Sequence, residues 1–454
     1  MEYQVTFYST FSELITGANR NFGYRLFMED YRGKHYYQDF YQDIMAAAAY
    51  FKDIYEQYII LKLKDPYFFA VVYFGAVLTG HVACLLPEGH PMPENMNSRY
   101  IAEETQMEKI LERKPLEARE LRVSDPEAPC TIAFSSGTSS KNKGCVLSQR
   151  NLLCDAQYSM KIFHYWEGER LLHILPYWHL FGLVADLIGP LHYGCSLFVP
   201  ESEVLFFKSM KYFKPHCINM PPALADAVCQ ILERTKDRSI TGGSLKKVLC
   251  AGAPMNIRTA EKLRKFGILP CTAYGLTECS PCVSITPDND VALGTAGKVI
   301  ACAGVSIEEG EILVSGPTVM LGYYGDKELT EQKITEGRFH TGDTGYIDAR
   351  GHLVVLGRKD SMLIFQNGRK CMPESVEERI NALEGVTESL LCADRSGIFS
   401  TPKLTVVTED LFQAESCLKK EITRIMKQEN LYPFILNFTP ERLKRNSMGK
   451  VVRK

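Results

Sequence analysis

Short apolar runs, separated by polar segments, recur along much of the chain. Between residues 151 and 200 the runs LLHIL, PYWHLFGL and GCSLFVP alternate with helix-like segments. Alternation of strand-like and helix-like segments is typical of an α/β fold with a mostly parallel sheet. The pattern therefore predicts an α/β architecture for the main part of the chain.

A long apolar run covers residues 68–86, FFAVVYFGAVLTGHVACLL, and contains no acidic residue, lysine or arginine. A run of this length could span a bilayer. However, Thr79, His81 and two glycines interrupt it, and a proline lies on each side. We therefore predict a buried helix that runs to Gly80, followed by a strand, and no membrane span.

The apolar run at residues 131–134 predicts a strand. A loop of small and hydroxyl-bearing residues follows it. After Lys143 comes a second apolar run, and Ser148 is placed to cap a helix that begins near Asn151. Backbone N–H groups, hydroxyls and a lysine in such a loop can bind a polyphosphate. The Walker A pattern does not match it, and a plain surface turn is the alternative. The loop residues are Ser135, Ser136, Gly137, Thr138, Ser139 and Ser140.

Composition narrows the class of protein only a little. The chain has 454 residues, enough for two or three domains, and its 52 basic and 54 acidic residues give a net charge of -2. Nothing in this balance indicates a nucleic-acid partner. The fifteen cysteines are scattered, without paired zinc-like spacing, and the N-terminus has no signal-peptide pattern. We therefore expect a cytoplasmic protein with reduced thiols.

The loop SSGTSSKNKG resembles the phosphate loop of the adenylate-forming superfamily, which includes acyl-CoA synthetases, adenylation domains of peptide synthetases and beetle luciferases. Ser140 and Asn142 replace the usual glycine and proline, whereas Lys143 and Gly144 keep their places. Further motifs that are similar to those of the family follow in the same order: VLCAGAP, TAYGLTE, FHTGD, GRKD and LKRNSMGKVVR. The resemblance extends from about residue 24 to the end. The run NGRKCMPESVEE is most similar to the acyl-CoA synthetase and fatty-acyl-AMP ligase branch.

The resemblance implies a set of nucleotide-binding residues. Tyr274 would stack on the purine, Asp343 would accept both ribose hydroxyls, and Thr277 would donate to the α-phosphate. Glu278 would hold Mg²⁺ through a hard oxygen. Thr272 stands where many relatives have asparagine. The full implied set for ATP is Ser135, Ser136, Gly137, Thr138, Ser139, Lys143, Gly252, Ala253, Pro254, Thr272, Tyr274, Gly275, Asp343 and Arg358.

An aromatic cluster at residues 176–182, PYWHLFG, follows a predicted strand. By itself it predicts a turn in the core with a hydrogen-bonded histidine. The resemblance instead places His179 at the gate of an acyl pocket. Adenylation domains of peptide synthetases have an aspartate near this position, and a buried ammonium group needs such a partner. Here Asp186 lies further along and is interpreted as structural, so we expect a carboxylic acid without an α-amino group.

The resemblance also implies two domains. A large N-terminal domain of layered α/β subdomains would cover residues 1–359, and a small mobile α+β lid would cover residues 360–454. Asp360 would be the hinge between them. Lys450 in the terminal Gly-Lys pair would be the catalytic lysine, and the turn at Gly368 would face the thiol channel.

These features predict an ATP- and Mg²⁺-dependent enzyme that converts a carboxylic acid to an acyl adenylate and transfers it to a thiol. The thiol would belong to coenzyme A or to phosphopantetheine. One alternative is an acyl-AMP ligase that serves only a carrier protein. Another is an inactive nucleotide-binding scaffold, which the retention of Glu278, Asp343, Arg358 and Lys450 disfavours.

Overall fold

The structure is a computed structural model that describes residues 6–86, 96, 100–121, 125–135, 143–364, 370–394, 401–411 and 417–444. Several predicted site residues lie outside this part of the chain: Ser136, Gly137, Thr138, Ser139, Gly368 and Lys450.

The α-helices of the described residues are α1 (Phe11–Phe22), α2 (Tyr37–Phe51), α3 (Pro66–Leu78), α4 (Met107–Leu111), α5 (Gln149–Phe163), α6 (Leu180–Gly182), α7 (Gly189–Tyr193), α8 (Phe206–Phe213), α9 (Pro222–Thr235), α10 (Ile257–Lys265), α11 (Lys327–Lys333), α12 (Pro373–Asn381) and α13 (Lys419–Gln428). A π-helical segment, Leu183–Ile188, joins α6 to α7.

The first strands are β1 (Leu26–Asp30), β2 (Gly33–Tyr36), β3 (Tyr58–Leu61), β4 (Val82–Leu85), β5 (Tyr100–Ala102), β6 (Pro129–Ser135), β7 (Lys143–Ser148), β8 (Arg170–Leu172), β9 (Ser196–Phe198), β10 (Cys217–Met220), β11 (Lys247–Cys250), β12 (Leu269–Gly275) and β13 (Cys282–Ile285). They are followed by β14 (Lys298–Val299), β15 (Gly304–Glu308), β16 (Glu311–Ser315), β17 (Gly322–Tyr323), β18 (Ile334–Thr335), β19 (Arg338–Ile347), β20 (Leu353–Arg358), β21 (Leu363–Ile364), β22 (Lys370–Cys371), β23 (Glu388–Asp394), β24 (Thr401–Val407) and β25 (Ile435–Thr439).

A nine-stranded sheet forms the first layer, in the order β14-β13-β12-β11-β10-β8-β9-β1-β2. Its central strands from β12 to β1 are parallel, and antiparallel pairs are found at both edges. Both faces of the parallel strands are covered, so residues 217–220 and 247–250 are buried without interruption. The two polar residues among them, Asn219 and Lys247, form hydrogen bonds in the core. The predicted α/β architecture with a mostly parallel sheet is confirmed.

A six-stranded sheet, β17-β7-β6-β4-β3-β5, forms the second layer. Strands β6 and β7 are antiparallel, with Ser135 opposite Lys143. The two ends of the predicted phosphate loop therefore lie side by side at one edge of this sheet. Ser148 caps α5: its Oγ accepts the Asn151 N–H at 3.2 Å, and the helix begins at Gln149, two residues before the predicted start.

Helix α3 accounts for most of the long apolar run. The Asp65 carboxylate caps it by accepting the Phe68 N–H at 2.7 Å, and residues 67–78 are all buried. A helix that is apolar on every side is buried on every side, and at Gly75 it approaches α2 closely. A Cβ added there would lie 2.5 Å from that of Ala47. The predicted buried helix and following strand are confirmed; among the described residues, no helix is long and apolar enough to cross a membrane.

A third sheet, β15-β16-β19-β18 with β20 paired to β19, is antiparallel and leads into the last part of the chain. Beyond it, β23, β24 and β25 pack with α12 and α13 around a separate core that includes Val376, Leu404 and Ile422. Helix α12 begins at Pro373, as predicted, and ends at Asn381. A large α/β unit and a small α+β unit are confirmed, whereas the boundary at Asp360 stays a prediction.

Candidate active site

A cleft of about 1890 Å³ lies between the large unit and the small one. The small unit contributes side chains on and after α12, among them Asn381, Glu388 and Arg442. Most of the predicted site residues that the structure describes line this cleft: Lys143, His179, Gly252, Ala253, Pro254, Tyr274, Gly275, Thr277, Glu278, Arg358 and Asp360. Residues from motifs that are far apart in sequence are thus brought to one surface.

At the end of the cleft that the sequence assigns to the ribose, the wall residues Tyr274 and Arg358 hold the carboxylate of Asp343, which is not itself among the described residues that line the cleft. Asp343 is only 6% exposed, and its Oδ2 accepts the Tyr274 hydroxyl at 2.7 Å. Its Oδ1 accepts Nη1 of Arg358 at 3.2 Å. Burial and then the Asp343 charge raise the pKa of Tyr274, so the phenol keeps the proton that it donates. A carboxylate has two oxygens that can accept both hydroxyls of a ribose, which is the role that the resemblance implies for Asp343.

Strand register explains why Asp343 and Arg358 meet. They are directly opposite each other in the antiparallel pair β19–β20. Arg358 also donates from Nη1 to the Thr341 carbonyl at 2.9 Å. Gly342, with φ of 72°, turns the chain just before Asp343, and a Cβ there would lie 3.1 Å from Nη2 of Arg358. The positive φ therefore favours a glycine at this position, and a Cβ there would also crowd the Arg358 guanidinium.

The other polar end of the cleft contains Glu278 and Lys143. Glu278 lies just after β12, and its Oε1 accepts the Tyr323 hydroxyl at 2.8 Å. Tyr323 is opposite Cys145 in the β17–β7 pair, so its ring comes within 5.6 Å of the Lys143 ammonium. The lysine and the carboxylate are therefore close to the same ring. Oxygens of one carboxylate, completed by phosphate oxygens and water, suit Mg²⁺, so these residues fit the ion that the sequence implies.

The predicted adenine wall is a small-residue turn after β11. Gly252, Ala253 and Pro254 line the cleft, and Gly252 has φ of 83° with open space at the position of a Cβ. Thr272 is not among the described residues that line the cleft. Its hydroxyl lies 3.0 Å from Oγ1 of Thr286 and donates to a backbone carbonyl at the same distance. Its predicted contact with adenine has no support from this geometry.

The third region of the cleft, which the resemblance assigns to the acyl group and which we call the acyl end, is mostly apolar. His179 is exposed at its mouth and caps α6, with Nδ1 accepting the Phe181 N–H at 3.3 Å. The wall behind it includes Leu175, Phe181 and Val184. Asp155, at the inner end, is fully buried and accepts the Cys282 N–H at 2.6 Å. Burial raises the pKa of Asp155 well above its usual value, which favours the neutral acid.

Asp186 lies in the π-helical segment and does not reach the cleft. It is fully buried, with Oδ2 at 2.9 Å from Nδ1 of His173 and Oδ1 accepting the Asn219 amide at 2.5 Å. Both oxygens are thus engaged in the core. The interpretation of Asp186 as structural agrees with this arrangement.

Several residues of the site were not found from the sequence. Tyr323, which holds Glu278, ends the stretch GEILVSGPTVMLGY, which fits the family, but nothing in that stretch assigned it a role in the site. Glu311 accepts hydrogen bonds from Gly342, the residue before Asp343, and from Lys359, the residue after Arg358. In the sequence it has only the pattern of an ordinary strand residue. Asp155 lies in a helix with no motif around it. Only the approach of distant strands and helices gives these three residues a place in the site.

Layered α/β sheets, a small α+β unit and a cleft between them with a paired aspartate and arginine are the features of the adenylate-forming superfamily. The chain belongs to the AMP-binding enzyme family, because the model of that family, described as "AMP-binding enzyme", matches residues 77–324.

Curated relatives are similar to this chain at modest identity. The long-chain-fatty-acid–CoA ligase FadD15 of Mycobacterium bovis is 25% identical over 60% of this chain and 53% of its own length. The 2-succinylbenzoate–CoA ligase of Listeria monocytogenes is 27% identical over 73% of this chain and 70% of its own length. The match therefore spans about half the length of FadD15.

Solved structures agree over nearly the whole chain. The anthranilate–CoA ligase AuaEII, in complex with anthranoyl-AMP, has a TM-score of 0.85 at 17% identity and covers 99% of this chain and 96% of its own. MatB from Rhodopseudomonas palustris has a TM-score of 0.81 at 19% identity, with 97% of each chain covered. At these identities the likeness shows the fold.

Proposed function

We propose that this protein is an ATP-dependent acid–thiol ligase. In the first half-reaction a carboxylate oxygen attacks the α-phosphorus of ATP, the bond to the β-phosphate breaks, and pyrophosphate leaves. In the second, a thiolate attacks the acyl carbon of the acyl adenylate, and AMP leaves. Such steps depend on positioning and on charge stabilisation more than on covalent chemistry by the protein.

The observation that carries the proposal is the convergence of two polar groups in one cleft. The Asp343–Arg358 pair is suited to a ribose, and Lys143 and Glu278 are suited to phosphates and their counter-ion. Asp343 is held at both oxygens, so it is oriented before a nucleotide arrives. Thr277, at the start of the turn that contains Glu278, has the hydroxyl that we assign to the α-phosphate.

Mg²⁺ held at Glu278 would neutralise phosphate charge during the first step. Lys143 would add a point charge, together with the hydroxyl-rich loop from Ser135 to Ser139. We propose that the Lys450 ammonium contacts both the attacking carboxylate of the substrate and the α-phosphate. Crowded negative charges in a poorly solvated site cost several kcal/mol when they are not compensated.

The acid is proposed to lack an α-amino group. An α-ammonium group that enters the cleft behind His179 would need a charged carboxylate partner. Asp186 is engaged by His173 and Asn219, and burial favours the neutral form of Asp155. The apolar wall at Leu175 and Phe181 suits an aliphatic or aromatic acyl group instead.

Coenzyme A is the thiol that we favour, because the curated relatives named above are CoA ligases. A phosphopantetheinyl carrier protein is the alternative. We further propose a cytoplasmic enzyme, on the sequence argument that its many scattered cysteines suit a reducing compartment.

The first test is pyrophosphate release by the purified protein over a panel of aliphatic and aryl acids, with hydroxylamine trapping of the acyl adenylate. Acid-dependent release and a matching hydroxamate are expected. Absence of release over the whole panel would favour the non-catalytic scaffold. Adding coenzyme A, or a carrier protein that bears a free phosphopantetheine thiol, to the positive reactions then identifies the thiol.

A second test addresses the lid. We propose that it turns at Asp360, first bringing Lys450 to the phosphates and then the Gly368 turn to the thiol channel. Lys450→Ala should abolish adenylate formation and keep thioester formation from supplied acyl-AMP. Asp360→Pro, which restricts φ, should do the reverse. Equal loss of both steps in Lys450→Ala, with the fold intact by circular dichroism, would contradict the alternating lid.

A further inference from the structure

Glu311 lies at the start of β16, behind the ribose end of the cleft. A turn at Glu309 and Gly310, both with positive φ, brings the chain from β15 into β16. Glu311 is directly opposite Thr344 of β19, one residue beyond Asp343, and it is only 9% exposed. Its carboxylate is therefore close to the ribose acid without being part of the cleft wall.

The two oxygens of Glu311 bind two different segments of the chain. Oε1 accepts the backbone N–H of Gly342 at 3.0 Å, and Oε2 accepts the Lys359 ammonium at 2.9 Å. His340 Nδ1 lies 3.9 Å from Oε1. Burial alone would raise the pKa of Glu311, but the bonds from Lys359 and Gly342 outweigh it and lower the pKa. The carboxylate is thus held in its charged form.

Each of these two segments carries one half of the ribose pair. Gly342 immediately precedes Asp343, and Lys359 immediately follows Arg358. Lys359 is also the last residue before the proposed hinge at Asp360, whose Oδ1 lies 3.4 Å from Nε of Arg358. A single carboxylate therefore links the backbone before the ribose acid to the side chain beside the hinge.

We propose that Glu311 is a positioning residue that couples the ribose-binding loop to the hinge. Its Oε1 keeps the Gly342 peptide, and with it Asp343, in the orientation that binds the nucleotide. Its Oε2 holds Lys359 to β16, so the chain enters the hinge at Asp360 from a residue that is fixed to the large unit. The inference rests on the proposed function, because it assumes that Asp343 binds a ribose and that the small unit turns at Asp360.

Three variants separate the two arms of the carboxylate. Glu311→Ala removes both, Glu311→Gln keeps an oxygen for the Gly342 N–H but loses the charge, and Lys359→Met removes only the partner at the hinge. Glu308→Ala is the matched control, because Glu308 is an acid of the same hairpin that pairs with Arg338 instead.

The first readout is the dissociation constant of AMP, measured by calorimetry, which needs no turnover. Loss of one backbone hydrogen bond to a charged acceptor should weaken AMP binding by about ten-fold in Glu311→Ala. Glu311→Gln, Lys359→Met and Glu308→Ala should stay within about two-fold of the wild type. Unchanged AMP affinity in Glu311→Ala, even with a lower melting temperature, would reduce Glu311 to a structural residue.

The second readout is the ratio of the two half-reaction rates, with supplied acyl-AMP for the second. Glu311→Gln and Lys359→Met should change this ratio in the same direction and by a similar factor. Their double variant should show no further change, since they break one interaction. Equal ratios in all variants, or additive effects of the two changes, would overturn the link to the hinge.

These two readouts also separate this inference from the proposed function. A wild-type protein that binds neither AMP nor ATP would contradict the proposed function. A wild-type protein that binds nucleotide and forms thioester, beside variants that behave identically, would contradict only the role of Glu311. If Glu311→Ala does not fold, the half-reaction ratios of Glu311→Gln and Lys359→Met still decide whether Glu311 acts on the hinge.

Discussion

At the ribose end of the cleft, both oxygens of Asp343 accept hydrogen bonds from Tyr274 and Arg358, whereas the acyl end is a wall of apolar side chains such as Phe181. The ribose end is specified by direction, because a hydrogen bond weakens steeply when its geometry is wrong. The acyl end is specified by volume, because dispersion and burial depend on shape and area. We therefore expect substitutions at the first to change nucleotide affinity and substitutions at the second to change acid selectivity.

The largest effect is expected for Asp343→Ala. It removes two charge-assisted bonds to the ribose, and a loss of about 3 kcal/mol corresponds to a KM for ATP that is more than a hundred-fold higher. The measurement is pyrophosphate release against ATP concentration. Tyr274→Phe is the control, because it keeps the ring and removes one hydroxyl, and only a few-fold change is expected. Equal use of ATP and 2′,3′-dideoxy-ATP by the wild type would show that the ribose contact is wrong.

A smaller effect is expected for Glu278→Gln. A neutral amide is a poorer ligand for a hard dication, so the Mg²⁺ concentration at half-maximal adenylation should rise by about ten-fold. Tyr323→Phe, which removes the hydroxyl that holds Oε1 of Glu278, should give a smaller rise in the same direction. The measurement is the rate of adenylation as a function of Mg²⁺ concentration at a fixed concentration of ATP. The same Mg²⁺ requirement in Glu278→Gln and the wild type would remove Glu278 from the site.

At the acyl end, Phe181→Ala should change which acids are used and leave the KM for ATP within about two-fold. One methylene group in an apolar pocket is worth about ten-fold or more in specificity, so larger acids should gain by at least that factor over smaller ones. Phe181→Leu is the control of intermediate size. If every acid and ATP were affected alike, the two ends would not be independent.

No effect on activity is expected for His192→Phe, because His192 lies away from both ends of the cleft. His192 is 5% exposed among the rings of Phe7, Tyr8 and Tyr193, and no hydrogen-bond partner for either nitrogen is found among the described residues. Burial lowers its pKa to about 4.

This lowered pKa predicts the sign of a pH effect. Between its ordinary pKa of 6.5 and 4, the unfolded chain binds a proton at His192 and the folded chain does not, so stability is lost as the pH falls. When the pH falls from 7.5 to 5, the wild type should lose about 1–2 kcal/mol of unfolding free energy through His192, and His192→Phe should not show this loss. Urea denaturation of both proteins at the two pH values measures it. Identical pH dependence in the variant and the wild type would exclude His192 as the cause.

Much of the fold could be predicted from local sequence. The strand at residues 131–134, the cap at Ser148, the buried helix α3 and the start of α12 at Pro373 are all confirmed. Each depends on neighbours within one or two turns of chain, where periodicity and capping chemistry act. Element ends were less well predicted: α3 ends two residues before Gly80.

Much less of the site could be predicted in this way. Motifs indicated Tyr274, Glu278, Asp343 and Arg358, but not that Tyr274 donates to Asp343 across 69 positions of sequence. The contact between Tyr323 and Glu278 spans 45 positions and arises from the pairing of β17 with β7. Thr272 was assigned to adenine from its place in a motif, yet its hydroxyl is engaged with Thr286 and a backbone carbonyl.

The sequence by itself determined the α/β class, the order of the motifs and the family, because apolar periodicity, caps and motif residues are local properties. Only the tertiary structure decided which carboxylates accept hydrogen bonds at the site and which residues donate them. Asp343 meets Arg358, and Glu311 meets Gly342 and Lys359, because of how strands β16, β19 and β20 pair, with one register shift after Glu311 and another after Thr344. A shift of that register by one residue would turn these side chains to the opposite face of the sheet, and no local pattern specifies it.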